Sequence, residues 1–497
     1  MKQPQSMTDP AGLLEAAENA MNAGAFDQAH RSFQDYLQIR PADAHALIGA
    51  SEVLRAIGQS SKIVDIYSNA VAAEPENLDL RSELIDALMA ELRVDDAIAM
   101  AEKELAANPQ YTKFKVQIAQ NHVALGDMDL ARQLLWECQE ADPEDITTIF
   151  YLTQMNHKDD AARLEPIMAG FWARRDDYNL DDLLVLGYGR GKVAETLGRY
   201  DEAWEAYEVG AKARRNSIRY DEQNLVEYLD LQKRIFPLSE EVAQQNQDVT
   251  LGQNLVFVCS LPRSGSTLVE QILASHHQVE GIGEREFTRE AFQNWYESNQ
   301  ASADMMFQPA AIMTARNQLL DAMKGVTEDG SNLIVDKSIS NFCYAGFLQT
   351  ILPGAHFIHV VRDPLDTAVS CLATTFHAGN EWSYDQREIG RNIRRHQKLM
   401  KYWLKTWPDS FLTVRYEDIV GDIETSARAM VDFCGLEWDP ACLEFHKTKR
   451  AVMTSSTTQV RKPIYASAKG RASRFDAHLG PLKSALGRAA NPDWFLK

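Results

Sequence analysis

The chain changes its hydrophobic pattern about halfway along its 497 residues. In the first part, small and apolar positions return at one long, fixed interval. Ala29, Ile63, Ala97 and Ala131 are each 34 residues apart, as are Pro41, Pro75, Pro109 and Pro143. Gly24, Gly58 and Gly126 share one frame, in which Leu92 fills the remaining slot. Prolines at such places sit between helices, where no helical N–H is lost, and the small residues let two helices approach closely. Beyond about residue 253 the pattern is different. Short apolar runs bounded by polar residues alternate with amphipathic stretches.

A 34-residue period with helix–turn–helix punctuation resembles the tetratricopeptide (TPR) repeat. The frame slips after Pro143, where Leu164–Ala173 reads as helix but fits the repeat poorly. It returns at Gly198-Arg199-Tyr200-Asp201-Glu202-Ala203 with Tyr207, mirroring Gly24-Ala25-Phe26-Asp27-Gln28-Ala29 with Phe33. Gly191 supplies the small residue often found seven positions before. The expectation is an all-α TPR solenoid over residues 7–235, with one degenerate repeat near 145–180. Its apolar residues are read as core. The resemblance implies that it binds a protein or peptide, or forms a homodimer. Residues 236–253, which include Pro237 and a polar run to Asp248, read as a linker.

In residues 254–497, Leu255–Cys259, Asn332–Asp336 and His356–Val361 read as strands. Thr267–Ala274, Asn341–Leu352 and Pro364–Phe376 read as helices, the last opened by Asp363-Pro364 as cap and first turn. This alternation predicts an α/β domain with a mostly parallel, doubly wound sheet. Its first strand leads through Ser260–Ser266 into a helix, an arrangement in which backbone N–H groups and a helix N-terminus cradle an anion. The loop lacks the lysine of a P-loop nucleotide triphosphatase, since Gly265 is followed by Ser266-Thr267. Arg263 and three hydroxyls remain, a set suited to a phosphate–sulfate anhydride without Mg²⁺. Val361-Arg362-Asp363-Pro364 ends a later strand, and such an Arg-Asp-Pro is by itself more often a strand-end salt bridge with a helix cap; with Ser370, about two helical turns on, Arg362 could instead hold a second phosphate.

Charge sharpens this picture. Residues 1–250 hold 24 Lys+Arg against 44 Asp+Glu, and the remainder holds 27 of each. An acidic first half disfavours nucleic acid. From Lys447 to Arg474 there are eight basic residues and no acid, which reads either as a solvated loop or as a wall facing a polyanion. The six cysteines form no CxxC pair and suit a reducing compartment. His276, His277, His356 and His359 have no metal-ligand spacing, so no metal is expected. Met1–Pro10 does not read as a signal peptide, no apolar run has membrane-span length, and a cytoplasmic location is expected.

Taken in order, these motifs resemble sulfotransferases that use PAPS (3′-phosphoadenosine-5′-phosphosulfate), and among them the tyrosylprotein sulfotransferases. The resemblance covers roughly residues 250–480. It implies that Arg263, Ser264, Gly265, Ser266 and Thr267 bind the 5′-phosphosulfate and that Arg362 and Ser370 bind the 3′-phosphate. It further implies that Tyr416 of Arg415-Tyr416-Glu417 contacts the nucleotide. Glu284, 21 residues after Arg263, takes the place of the general base. Lys337 matches a catalytic lysine. Ser456 opens a Ser-Thr-x-Gln-Val-x-Lys-Pro segment ending at Pro463 and serves the leaving group. Arg471 stands where the family has a lysine, and with Lys469 it would close over the nucleotide. Taken alone, Glu284 is a surface glutamate and the glycine loop an ordinary turn. The acceptor is a hydroxyl, with protein tyrosine implied by the resemblance and polysaccharide, lipid and small molecules left open. Two other readings remain at this stage: a TPR adaptor with an inactive transferase domain, and a kinase-like phosphotransferase.

Overall fold

The computed structural model describes residues 9–57, 59–155, 157–236, 248–327, 333–376, 379–448, 450, 452, 454, 456–462 and 469–491. The chain gathers into two compact units, Met1–Leu134 and Leu135–Lys497.

The first unit is helical. α1 (Pro10–Asn22), α2 (Phe26–Ile39), α3 (Ala44–Ala56), α4 (Lys62–Ala73), α5 (Leu78–Ala90), α6 (Val94–Ala107) and α7 (Thr112–Leu125) are followed by α8 (Met128–Ala141), which crosses into the second unit. The 34-residue interval is kept in the helix starts Ala44, Leu78 and Thr112. The repeated small positions Ala29, Ala97 and Ala131 are wholly buried, and Ile63 nearly so. The glycine frame is a conformational requirement. Gly24 and Gly126 turn at φ 74° and 92°, and Leu92 adopts φ 61° in the same slot. A non-glycine residue there stores roughly 1–2 kcal/mol of strain. Gly58 lies outside the described residues.

The second unit holds the remaining helical hairpins and the α/β domain together. α9 (Ile146–Gln154) and α10 (Lys158–Ala173) are the irregular pair, and Pro166 sits inside α10. α11 (Leu180–Thr196) and α12 (Tyr200–Ser217) pack on glycines. A Cβ on Gly187 would lie 2.5 Å from the Gly210 nitrogen, and one on Gly191 would lie 2.5 Å from the Tyr207 ring. α13 (Glu222–Ile235) leads to Phe236, which is fully buried against Trp295 and accepts a 2.7 Å hydrogen bond from the Tyr402 hydroxyl at its carbonyl. The first residue of the expected linker is therefore part of the α/β core. Residues 237–247 of that linker lie outside the described residues. The compact division falls within α8, well before the change in sequence pattern, because α11–α13 carry aromatic and charged contacts onto the α/β domain.

The α/β domain is built on five parallel strands: β1 (Leu255–Cys259), β2 (Val279–Gly283), β3 (Leu333–Asp336), β4 (His356–Val361) and β5 (Phe411–Arg415), in the order β2-β3-β1-β4-β5. Alternation along β1 serves both faces of the sheet. Leu255, Phe257 and Cys259 meet Phe347, Leu348 and Trp403, while Val256 and Val258 meet Leu268, Val269 and Ile272. The helices of this domain are α14 (Ser266–Ala274), α15 (Phe287–Asn299), α16 (Ala303–Met306), α17 (Pro309–Lys324), α18 (Asn341–Ile351), α19 (Pro364–Leu372), α20 (Gln386–Thr406), α21 (Tyr416–Gly421), α22 (Ile423–Phe433), α23 (Thr457–Val460) and α24 (Gly480–Leu486) among the described residues. The helix expected over 364–376 stops at Leu372. β2 and β5, the two edge strands, had no apolar run to announce them. No described helix is long and apolar enough to cross a membrane.

Candidate active site

The sheet order reverses direction at β1. β2 and β3 lie to one side and β4 and β5 to the other, and such a reversal opens a crevice beyond the carboxyl ends of the strands. Each strand delivers a sequence-predicted residue to that edge. β1 runs into the loop of Arg263, β2 into Glu284, β3 into Lys337, β4 into Arg362 and β5 into Tyr416.

Arg263 is the hub. It sits at φ 67°, left-handed for a residue with a side chain, and such strain is characteristic of functional turns. Its carbonyl accepts a 2.9 Å bond from Arg362 Nη1. Its Nε donates to Ser370 Oγ at 3.2 Å and its Nη1 to Ser456 Oγ at 2.6 Å. Four residues from three distant motifs are thereby joined through one guanidinium and its backbone. The Ser456 turn is tied to α14, where the Thr267 and Thr454 hydroxyls are 3.3 Å apart and Thr454 accepts from the Ser456 N–H at 3.1 Å. Pro463 lies outside the described residues.

Gly265 turns the chain into α14 at φ 105°, and a Cβ there would lie 2.7 Å from Tyr416 Cδ2. Tyr416 in turn lies beneath Arg362, whose guanidinium is 4.7 Å from the ring centroid, a cation–π distance. Burial raises the Tyr416 hydroxyl's pKa, against the opposing pull of Arg362 and Arg263. Ser264 and Ser266 are buried where the loop enters α14. Hydroxyls at a helix N-terminus, beside two arginines, fit an anionic ligand.

Glu284 and Lys337 meet for a reason of register. Gly283 of β2 pairs with Asp336 of β3, so the next residue of each strand emerges beside the other. Lys337 Nζ donates to Glu284 Oε1 at 2.5 Å; the lysine is fully buried and the glutamate side chain 37% exposed. Asp336, just behind, is raised to about 6 by burial, although the Ser338 N–H and Asn341 Nδ2 donate to it at 2.7 and 2.9 Å. It anchors the turn that presents Lys337.

Arg471 is buried and already engaged. Its Nε and Nη2 donate to Glu195 Oε1 and Oε2 at 2.7 and 2.6 Å. Burial pushes Glu195 up, but Arg471, Lys192 and the Tyr207 hydroxyl outweigh it and hold the carboxyl at about 2. The backbone beside Arg471 is fixed as well: the Gly470 and Ala472 N–H groups donate to Asp366 at 2.7 and 2.8 Å, and Asp366 is 4.0 Å from Arg362. Lys469 is exposed. Sequence reasoning did not single out Glu195, Asp366 or Thr454. Asp366 shares a helical turn with Asp363, the cap of α19, and carries no motif of its own; Glu195 sits in a repeat read wholly as packing.

His276, His277 and Asp439 are grouped closely enough to hold a metal. Their atoms have other work: His276 Nε2 pairs with the Glu437 carbonyl at 2.8 Å, its Nδ1 accepts from the Gln278 N–H, and His277 Nδ1 pairs with Asp439 at 2.8 Å.

Residues 255–440 match the model of the sulfotransferase family. An uncharacterized protein of Aquifex aeolicus (strain VF5) is 30% identical over 318 residues, covering 60% of this chain and 41% of the relative. Protein-tyrosine sulfotransferase 2 of Gallus gallus is 22% identical over 258 residues, covering 47% of this chain and 69% of the relative. The chain thus spans less than half the length of the Aquifex relative. Among solved structures, the sulfotransferase domain of the Synechococcus PCC 7002 olefin synthase aligns with a TM-score of 0.30 at 21% identity, over 46% of this chain and 90% of that one.

Proposed function

We propose that the α/β domain, a sulfotransferase-family domain behind an array of TPR-like helices, moves the sulfuryl group of PAPS to a hydroxyl acceptor. The observation that carries this reading is the convergence on Arg263: its guanidinium meets Ser370 and Ser456, and its carbonyl meets Arg362. One residue thereby ties together the groups expected at the two ends of the nucleotide.

PAPS supplies an activated sulfuryl group, displaced in line from a phosphate. Ser264, Ser266, Thr267 and the first-turn N–H groups of α14 receive the phosphosulfate, and the left-handed Gly265 lets Tyr416 lie close against the loop. Arg362 and Ser370 select the 3′-phosphate, which separates this donor from ATP-like nucleotides. Arg263 and Lys337 provide fixed positive charge where negative charge builds up, and Ser456 donates toward the leaving phosphate. Glu284, the one member of the set with substantial solvent access, takes the acceptor hydroxyl's proton. Its pairing with Lys337 keeps the carboxylate aimed until an acceptor arrives. Protein tyrosine is the first acceptor to test, and the helical repeats are suited to recruiting it or to self-association.

Calorimetric titration of the full chain with 3′-phosphoadenosine-5′-phosphate tests the donor assignment. Saturable binding that weakens sharply on removal of the 3′-phosphate is expected. A chain that binds ATP equally well, or does not bind the desulfated nucleotide, overturns it.

A further inference from the structure

Glu195 belongs to α11, a helix of the repeat array, yet its carboxylate grips Arg471, 276 residues later in the chain. The grip is bidentate, nearly buried, and reinforced by the Tyr207 hydroxyl, which donates to Glu195 Oε2 at 2.7 Å. One turn earlier on the same face of α11 stands Lys192. Lys192 is partly buried, and its side chain makes no hydrogen bond or ion pair among the described residues. Glu195 is its nearest stabilising charge. Burial lowers the Lys192 pKa to about 8, with Arg471, Arg263 and Lys462 adding repulsion against the pull of Glu195.

Cations gather around Lys192. Lys192, Arg263, Arg362, Arg471 and Lys462 bring five cations toward one region. Glu195 and Asp366 answer Arg471 and Arg362, and Arg263 is directed at hydroxyls. A half-buried, unpaired ammonium beside other cations is costly unless an anion joins it. The neighbouring loops are those that face the nucleotide in the reading above.

We propose that the helical repeats complete the donor site: Lys192 binds an anionic oxygen of the nucleotide, and Glu195 is a positioning residue that holds Arg471 where it can do the same. The inference rests on the PAPS reading and goes beyond it, because it makes a repeat helix part of the transferase site. The transferase would then begin functionally at α11, well before β1. The repeats would do more than carry partners, since any movement of α11 would change donor affinity directly.

The test uses the full chain and titrates 3′-phosphoadenosine-5′-phosphate into wild type, Lys192→Gln, Lys192→Arg and Glu195→Gln, with the nucleotide-free melting temperature measured for each. Loss of one charge-assisted contact weakens binding about tenfold. Lys192→Gln is expected to lose about that much with an equal or higher nucleotide-free melting temperature, and Lys192→Arg to recover most of it. Glu195→Gln is expected to raise the KM for PAPS more than it lowers kcat. Wild-type affinity in Lys192→Gln overturns the inference while leaving the donor assignment intact. No binding by wild type overturns the donor assignment and the inference with it. Should Glu195→Gln fail to fold, the two Lys192 variants decide the matter alone.

Discussion

Lys337 donates to Glu284 at 2.5 Å because the two residues leave adjacent parallel strands one step past the register pair Gly283–Asp336. The pair sets a partly exposed carboxylate beside a buried lysine at the carboxyl edge of the sheet. Glu284→Gln keeps the shape and removes the proposed base, so kcat should fall about 10²–10⁴-fold with donor affinity unchanged. Lys337→Met should cost about 10²–10³-fold. The double variant should lose far less than the product of the two, because both residues serve one step. Steady-state kinetics on the three proteins checks this.

Arg362→Ala should act on the donor. The KM for PAPS should rise, and the preference for a nucleotide carrying the 3′-phosphate should shrink. The same change removes the cation above Tyr416 and the bond to the Arg263 carbonyl, so some kcat should go too. Competition between 3′-phosphoadenosine-5′-phosphate and adenosine-5′-phosphate reads the selectivity directly.

Gly265→Ala meets two obstacles at once, a φ of 105° and a Tyr416 carbon 2.7 Å from the new methyl group. It should cost about 1–2 kcal/mol in stability and weaken the nucleotide. Leu92→Gly runs the other way. Relief of the left-handed strain outweighs the entropy that glycine adds to the unfolded chain, and a gain of up to about 1 kcal/mol is expected in chemical denaturation.

Two pH effects separate at α11. Glu195 titrates near 2 in the folded protein, below an ordinary carboxyl. Its stabilising contribution is complete above about pH 4.5 and is lost as pH falls toward 2, so acid unfolding of Glu195→Gln should be less steep than that of wild type. Lys192 titrates near 8 among Glu195, Arg471, Arg263 and Lys462. Nucleotide affinity should therefore fall as pH rises through 8 in wild type and stay flatter in Lys192→Gln. Calorimetry from pH 6.5 to 9.5 in matched ionic strength checks the second effect.

The sequence made the inner strands β1, β3 and β4 legible because each is a continuous apolar run, the mark of a strand buried on both faces. β2 and β5 sit at the edges. Val-Glu-Gly-Ile-Gly and Phe-Leu-Thr-Val-Arg do not stand out by composition, although the motif residues Glu284 and Tyr416 immediately follow them. The 34-residue period was legible down to the left-handed slot that Leu92 occupies. Arg471 was legible as a basic residue late in the chain, but its partner was not. Glu195 is separated from it by 276 residues, and within its own repeat an acidic residue at that position is indistinguishable from a solvated one. Long-range pairing of this kind has no local pattern.

The central claim is sulfuryl transfer from PAPS, and the most direct measurement is mass spectrometry of acceptors incubated with the full chain and PAPS, beside a Glu284→Gln control. Tyrosine peptides, polysaccharides, lipids and small hydroxyl compounds form the panel. The account predicts a sulfated product with wild type and a greatly reduced yield with the variant. Nucleotide binding with no sulfated product on any acceptor, or Mg²⁺-dependent ATP consumption that survives Arg362→Ala, would contradict it.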